Sequence, residues 1–291
     1  MIKPTRRSLT CMMSLLFLIG WSGGDRLSAM DIPQEYKVGG FAVGLQAFSF
    51  HRLPVLETIE KTAQAGGRTI EFFGRQPFSS EDPELLWNHH ATEEMIRAVE
   101  ARLSEFDVLP VNYGVVQIPQ NEAEARKIFE FAQRLGLRAI TTESEGSIDL
   151  IEKLVREYDI KVAFHHHGRN PDRPDYRLWD PNYLRDLVKD RDERIGVCPD
   201  IGHFILSDLD PVESLRILRG RIISVHMNDR RAEDNRAVSL GMGIGNIAGV
   251  LSELREQGFT GHLSIEQLLS LPEIAQSVGF IRGVGASQGW E

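Results

Sequence analysis

The sequence predicts a single α/β domain of the (β/α)8 TIM-barrel type, and three observations carry that reading. Short apolar runs recur at roughly thirty-residue spacing from Phe41 to the C-terminus, each followed by a capped amphipathic segment. Eight such runs can be placed, with no low-complexity linker between them. Setting aside an N-terminal leader of 29 residues leaves 262 of the 291, close to the ~250 that a closed barrel needs and more strands than a doubly wound sheet usually holds.

The leader is read from its charge and hydropathy. Lys3, Arg6 and Arg7 precede an apolar stretch from Leu9 to Trp21, and Leu27-Ser28-Ala29 supplies a small residue at a cleavage edge, the layout of a bacterial export signal. The stretch is too short for the roughly twenty apolar residues that a permanent span requires, so no stable membrane insertion is expected. Thr5-Arg6-Arg7-Ser8-Leu9 also fits the twin-arginine form of such signals. The expectation is an exported protein, periplasmic or secreted, with a signal over 1–29 and a barrel over 30–291.

The strand candidates are Phe41–Phe48, Thr69–Phe73, Val108–Tyr113, Ala139–Thr142, Lys161–His165, Ile195–Pro199, Ile222–His226 and His262–Glu266. Helix starts fall between them: Asn121 with Glu124, and Asp210-Pro211 with Glu213, each pair a capping side chain with a first-turn acid. Asn246 is placed to cap a helix whose Ile247, Val250, Leu251 and Leu254 recur on one face, and Gly258 stops it. Ile148, Ile151, Leu154 and Val155 form a similar stripe.

Composition narrows the function. The chain is 42% hydrophobic and 26% charged with net charge −9, and loss of the leader removes four cations and one acid to give −12. No run of Lys or Arg exceeds two residues, so there is no electrostatic footprint for nucleic acid. Of the two cysteines, Cys11 lies in the leader, which leaves Cys198 as a small buried apolar residue and excludes an internal disulfide.

Reactive groups of such barrels project from the C-terminal ends of the strands. Here Glu71, Glu143, His165-His166-His167, Asp200, His226 and Glu266 all fall at or near the ends of strand candidates. Any one of them could be a solvated rim residue. Six converging together would repel one another without a cation, and they are the ligand types that suit Mn²⁺, Co²⁺, Mg²⁺ or Zn²⁺. One divalent metal ion at the barrel mouth is expected.

Four motifs appear in order at strand ends: Phe164-His165-His166-His167-Gly168, Cys198-Pro199-Asp200-Ile201-Gly202-His203, Ser224-Val225-His226-Met227-Asn228-Asp229 and Leu263-Ser264-Ile265-Glu266. Together they resemble the xylose isomerase-like TIM-barrel superfamily of sugar phosphate isomerases and epimerases, over a span from Leu45-Gln46 to Glu266. The resemblance implies metal ligands at Asp200, His226 and Glu266, with the remaining one supplied by His165 or by Glu143. For the chemistry such a site supports, Glu143 or His167 is the expected base, and Glu266 a ligand that also moves the proton. Glu71, His203, Arg169 and Trp179 are the expected substrate contacts, His203 alternatively fixing a ligand from behind. His166 stands where relatives have Asn, Asn228 where they have Lys, and Met242 where they often have an acid.

A cation that chelates a carbonyl and its neighbouring hydroxyl makes the adjacent C–H acidic. That chemistry gives isomerisation or epimerisation of a small carbohydrate or, with a leaving group β to the carbonyl, elimination. The first expectation is a metal-dependent sugar isomerase or epimerase. Export favours unphosphorylated substrates and raises a 3-keto-glycoside lyase as an alternative. Two rivals are a DNA repair nuclease of the same superfamily, disfavoured by the charge, and a sugar-binding barrel without turnover. Gly241-Met242-Gly243-Ile244-Gly245 lies between strands seven and eight, where barrels often seat phosphate; it reads either as such a contact or as a plain turn. His89-His90 reads as a surface pair. Oligomeric state is left open.

Overall fold

The computed structural model describes residues 32–290; the export signal read at the N-terminus lies outside them. Eight parallel strands form the barrel: β1 (Phe41–Gln46), β2 (Thr69–Phe72), β3 (Leu109–Tyr113), β4 (Ala139–Thr142), β5 (Lys161–His165), β6 (Ile195–Cys198), β7 (Ser224–Met227) and β8 (His262–Ile265). They pair in the order β7-β8-β1-β2-β3-β4-β5-β6. The remaining seam, β6 to β7, is joined by isolated parallel bridges at Val197–Ile222 and Asp200–His226, through which the ring closes as a TIM barrel. Ile222, expected inside the seventh strand, is one of these bridge residues, so the regular ladder starts later, at Ser224.

Alternation along the strands decides what faces inward, because residues two apart share a face. Ile70, Ile140, Val162, Phe164, Val197, Val225, Leu263 and Ile265 are fully buried, and their parity turns them outward against the helices. The inward set, read back from the strand ends, is Thr69, Ala139 and Thr141, Ala163, Gly196 and Cys198, Ser224, and His262 and Ser264. Barrel interiors are usually filled by branched apolar side chains; here the inward positions are mostly small or polar residues, all buried. Gly44 is required on this face, since a Cβ there would lie 1.6 Å from the Thr69 carbonyl oxygen. Ile32, Ala42 and Val111, packed with Tyr36 and Leu109, seal the N-terminal end.

The helices are α1 (Val55–Gln64), α2 (Glu93–Phe106), α3 (Glu122–Arg134), α4 (Ile148–Tyr158), α5 (Pro181–Val188), α6 (Ile201–Leu206), α7 (Pro211–Ile217), α8 (Ile247–Glu256) and α9 (Leu271–Gln288). The expected caps are in place: Asn121 accepts the Glu124 amide at 3.1 Å, Asp210 accepts the amides of Val212 and Glu213, and Asn246 accepts that of Gly249 at 3.3 Å. Gly258 follows α8 at φ +68°. The stripe Ile148, Ile151, Leu154 and Val155 is buried on α4, and Ile247, Val250, Leu251 and Leu254 are buried on α8.

Three features differ from the sequence reading. The first strand ends at Gln46, not Phe48, because the Gln46 side chain accepts the Phe48 amide and starts a 3₁₀ turn over Ala47–Phe50. Asp200 is the N-cap of α6, accepting the His203 amide at 2.9 Å; a short helix thus grows directly from a strand-end acid. Two short antiparallel hairpins, Gln76–Pro77 with Leu86–Trp87 and Asp229–Arg230 with Ala237–Val238, decorate the loops after β2 and β7.

Candidate active site

The strand-end residues meet as the barrel geometry requires. Ligand atoms of His165, Asp200, His226 and Glu266, from the ends of β5, β6, β7 and β8, all lie within 4.8 Å of one another. Asp200 and His226 are brought side by side by the bridge that joins β6 to β7. Asp200 Oδ2 is 3.9 Å from His165 Nε2, and His226 Nδ1 is 2.6 Å from Glu266 Oε2.

Each imidazole of the cluster is backed by a carboxylate. His165 Nδ1 is bonded to Glu143 Oε1 at 2.8 Å, and His226 Nε2 to Glu71 Oε2 at 3.1 Å. A ring that donates one N–H backward presents the other nitrogen's lone pair forward, which is how carboxylate–histidine–metal arrangements fix the tautomer. The forward atoms, His165 Nε2 and His226 Nδ1, are buried without a hydrogen bond, as is Glu266 Oε2. Although Nδ1 of His226 and Oε2 of Glu266 are close, they are not aligned as donor and acceptor. Buried polar atoms left unpaired are costly, and two imidazoles with two carboxylates form a donor set for Mn²⁺, Co²⁺ or Zn²⁺. The residues therefore fit a divalent cation.

Electrostatics supports the same reading. Burial alone would push the Glu71 carboxyl up, but the adjoining His226, aided by His262, holds it at about 2. Burial likewise works against Asp200 and Glu143, yet neighbouring histidines hold both well below the usual carboxylate range. Burial would lower His165, but Asp200 and Glu143 lift it to about 10. His226 is raised as well, Cys198, Glu71 and Glu266 outweighing its burial. The neighbouring carboxylates thus favour the protonated form of both rings.

A histidine lifted in this way contributes stability that is full below its unfolded value of about 6.5 and is lost as pH rises through its folded value. For His165 the window runs from 6.5 to about 10, and a bound cation would replace the departing proton charge. Melting with chelator and with Mn²⁺ between about pH 6.5 and 8.5 should show the gap in Tm widening as pH rises. A constant or narrowing gap would refute the exchange of protons for a cation.

Beside the cluster lies a second group. Glu143 Oε1 is also 2.5 Å from Nδ1 of the exposed His167. The Tyr176 hydroxyl donates to Glu143 Oε2 at 3.2 Å and accepts the His167 amide at 2.6 Å. Glu143, His165 and His167 are close enough to form a ligand set of their own, but Glu143 stands behind His165 as seen from the four-residue cluster.

The other expected residues are placed as follows. Glu71, assigned to the substrate from its strand-end position, is wholly buried and bonded to His226, so it positions that ring and does not reach substrate. His203 lies with Nε2 at 4.0 Å from Asp200 Oδ2, and burial lowers it against the pull of Asp200. Arg169 is exposed and its guanidinium lies 5.1 Å over the half-buried Trp179 ring. His89 is half-buried and bonded to the Tyr113 hydroxyl at 3.1 Å, unlike the surface reading of that pair.

Sequence reasoning missed what His166, Tyr176 and Asp229 do. His166 Nε2 accepts the Asp200 amide at 3.1 Å and holds the start of α6. Asp229 is buried, and its carboxylate accepts the amides of Gly241, Gly243 and Gly245 at 2.9 Å each. The spacing of alternate glycines was the available signal, but it does not say which anion fills the loop.

A (β/α)8 barrel with a cluster of cation-ligand type at the ends of strands five to eight defines the class. Residues 59–284 match the family described as xylose isomerase-like TIM barrel, and the chain belongs to that family. It is 31% identical over 127 residues to an uncharacterized protein of Methanocaldococcus jannaschii, covering 42% of this chain and 41% of that protein; the match spans about two-fifths of the relative's length. An uncharacterized protein of Parabacteroides distasonis is 29% identical over 84% of this chain and 99% of its own, with a TM-score of 0.67. A D-tagatose 3-epimerase-like protein (18% identical, 85% and 98% covered, TM-score 0.67) and the 3-keto-D-glucoside 4-epimerase of E. coli (14%, 84% and 99%, TM-score 0.65) share the fold. Sugar isomerases and epimerases are thus built on this architecture, and the family expected from the motifs is the one found. Among the described residues no helix is long and apolar enough to cross a membrane.

Proposed function

We propose that this protein is a divalent-metal-dependent sugar isomerase or epimerase that works by moving a proton next to a carbonyl. The observation that carries the reading is the cluster of His165, Asp200, His226 and Glu266, with three of its inward atoms making no hydrogen bond. In this reading His165 is the fourth ligand and Glu143 orients it.

A divalent cation held by His165, Asp200, His226 and Glu266 would supply Lewis acidity, making the C–H on the hydroxyl-bearing carbon next to the carbonyl acidic. Glu266, one-fifth exposed and at the edge of the cluster, removes that proton. His167, whose Nδ1 is held by Glu143, faces the site from the β5 side and returns a proton, either to the neighbouring carbon or to the other face of the same one. Tyr176 keeps the Glu143–His167 pair in register from behind, and His203 orients substrate hydroxyls.

The same pair of groups serves a second reading, a 3-keto-glycoside lyase. The two proton-moving groups are a carboxylate on one side and a carboxylate-backed imidazole on the other. Elimination needs a base for the C–H and a separate acid for the leaving oxygen, and the same pair supplies both. An exported location, periplasmic or secreted, belongs to this proposal and agrees with a glycoside substrate.

Solvent deuterium incorporation followed by NMR tests both readings, with Mn²⁺-loaded protein and a panel of ketoses, aldoses and 3-keto-glycosides. Product labelled next to the carbonyl supports the isomerase or epimerase; a released aglycone moves the assignment to the lyase. Metal-loaded protein that exchanges nothing on any of them overturns the catalytic reading in favour of a sugar-binding barrel.

A further inference from the structure

Two observations at the C-terminal face bear on what the sugar carries. The first concerns charge. The Gly241–Gly245 loop lies where barrels often seat a phosphate between strands seven and eight, yet its three inward amides are all taken by the carboxylate of Asp229. There is no slack in that loop: a Cβ at Gly243 would lie 2.4 Å from Asp229 Oδ1. An incoming phosphate would have to displace a buried carboxylate bound by three N–H groups. It would also approach a mouth that holds Glu143, Asp200 and Glu266. The guanidinium groups of the β5 loop are laid over rings, Arg169 on Trp179, Arg173 on Tyr176 and Arg177 on Tyr183.

The second observation concerns apolar surface. Among the described residues, five large hydrophobic side chains are exposed, Leu85, Leu206, Met242, Ile244 and Leu268, at 37% to 65%. All five lie in segments that follow barrel strands, on the C-terminal face; the outer helix faces and the N-terminal end have none. Leu268 is two residues beyond Glu266, Leu206 ends the helix that Asp200 caps and packs beside Gly168, and Met242 and Ile244 alternate with the glycines that wrap Asp229. Leu206, beside Gly168 and His203, and Leu268, two residues after Glu266, put exposed apolar side chains on the face that carries the cluster, where the apolar part of a ligand would cover them.

We propose that the site takes a sugar joined to an apolar group, such as an aryl or alkyl glycoside, and not a sugar phosphate. The polar sugar meets the cluster, and its apolar substituent covers the rim formed after β6, β7 and β8. This inference rests on the sugar reading above and adds the class of substituent.

The test is calorimetric binding to the full protein, with and without Mn²⁺, of three unreactive probes: methyl β-D-glucoside, phenyl β-D-glucoside and methyl β-D-glucoside 6-phosphate. Burying a phenyl ring on the rim should make the phenyl glucoside bind roughly tenfold tighter than the methyl one, with the phosphate no tighter than the methyl. In the double variant Met242→Ser/Leu268→Ser that gain should shrink while methyl glucoside affinity stays unchanged. Metal-dependent binding of the methyl glucoside with no phenyl gain, or tightest binding of the phosphate, overturns the substrate class alone. No metal-dependent binding of any probe overturns the sugar reading with it. A wild-type dimer in sedimentation that the double variant dissociates, with probe affinities unmoved, assigns the rim to a second copy of the chain and overturns the proposal.

Discussion

Replacing Glu266 by Gln is expected to reduce solvent deuterium exchange by at least 10²-fold and as much as 10⁴-fold, the range that a positioned general base contributes. The substitution keeps size and shape and removes the negative charge. Glu266 follows β8, its amide donating to the Met227 carbonyl at 3.1 Å, so the backbone that carries it is fixed by the barrel ladder and should not move. Oε2 at 2.6 Å from His226 Nδ1 makes the group a neighbour of the cation as well as a base. Metal content measured on the same samples separates the two roles. Exchange lost with metal retained assigns the proton transfer to Glu266; both lost together limits it to a ligand; exchange near the wild-type rate would rule out both.

Asp200→Asn should cost at least a hundredfold in affinity for the divalent cation while leaving the fold intact. Asn and Asp cap helices about equally well, so Oδ1 of the variant would still accept the His203 amide and α6 would persist. What is lost is a buried charge. Asp200 is 1% exposed and faces His165 and His203 at 3.9 and 4.0 Å; in that dry setting, charge on a hard oxygen ligand counts for far more than at a surface. Titration of Mn²⁺ followed by Tm reads the loss: the chelated variant should melt somewhat below the chelated wild type, because His165 loses one of the two carboxylates that lift it, and the rise in Tm on adding metal should disappear. A variant that still gains stability with Mn²⁺ at wild-type concentrations would place the ion elsewhere.

The sequence by itself determined the barrel and its family. Runs such as Lys161–His165 and His262–Glu266 are short and apolar on alternate positions, caps such as Asn121 and Asp210 sit where a helix must start, and these are local signals that tertiary packing did not override. It also determined which strand ends carry acids and imidazoles, since in a barrel a residue's place along the strand sets the layer it occupies. Boundaries were less legible. The 3₁₀ turn after Gln46 and the helix capped by Asp200 depend on side-chain-to-backbone bonds that a polar residue at a strand end permits without requiring.

Only the tertiary structure decided how the strand-end residues divide. Glu71 and Glu143 look like Asp200 and Glu266 in sequence, each a carboxylate at the end of an apolar run. The fold turns the first two behind His226 and His165 and the last two toward the shared centre. The same holds for the glycine loop, where alternate glycines announced an anion and the closing of the chain supplied Asp229 from the preceding strand end. The reason is physical: spacing along one strand fixes the layer and face of a side chain, but a partner about 150 residues away, as between Glu71 and His226, is set by which strands the barrel makes neighbours and by the stagger between them.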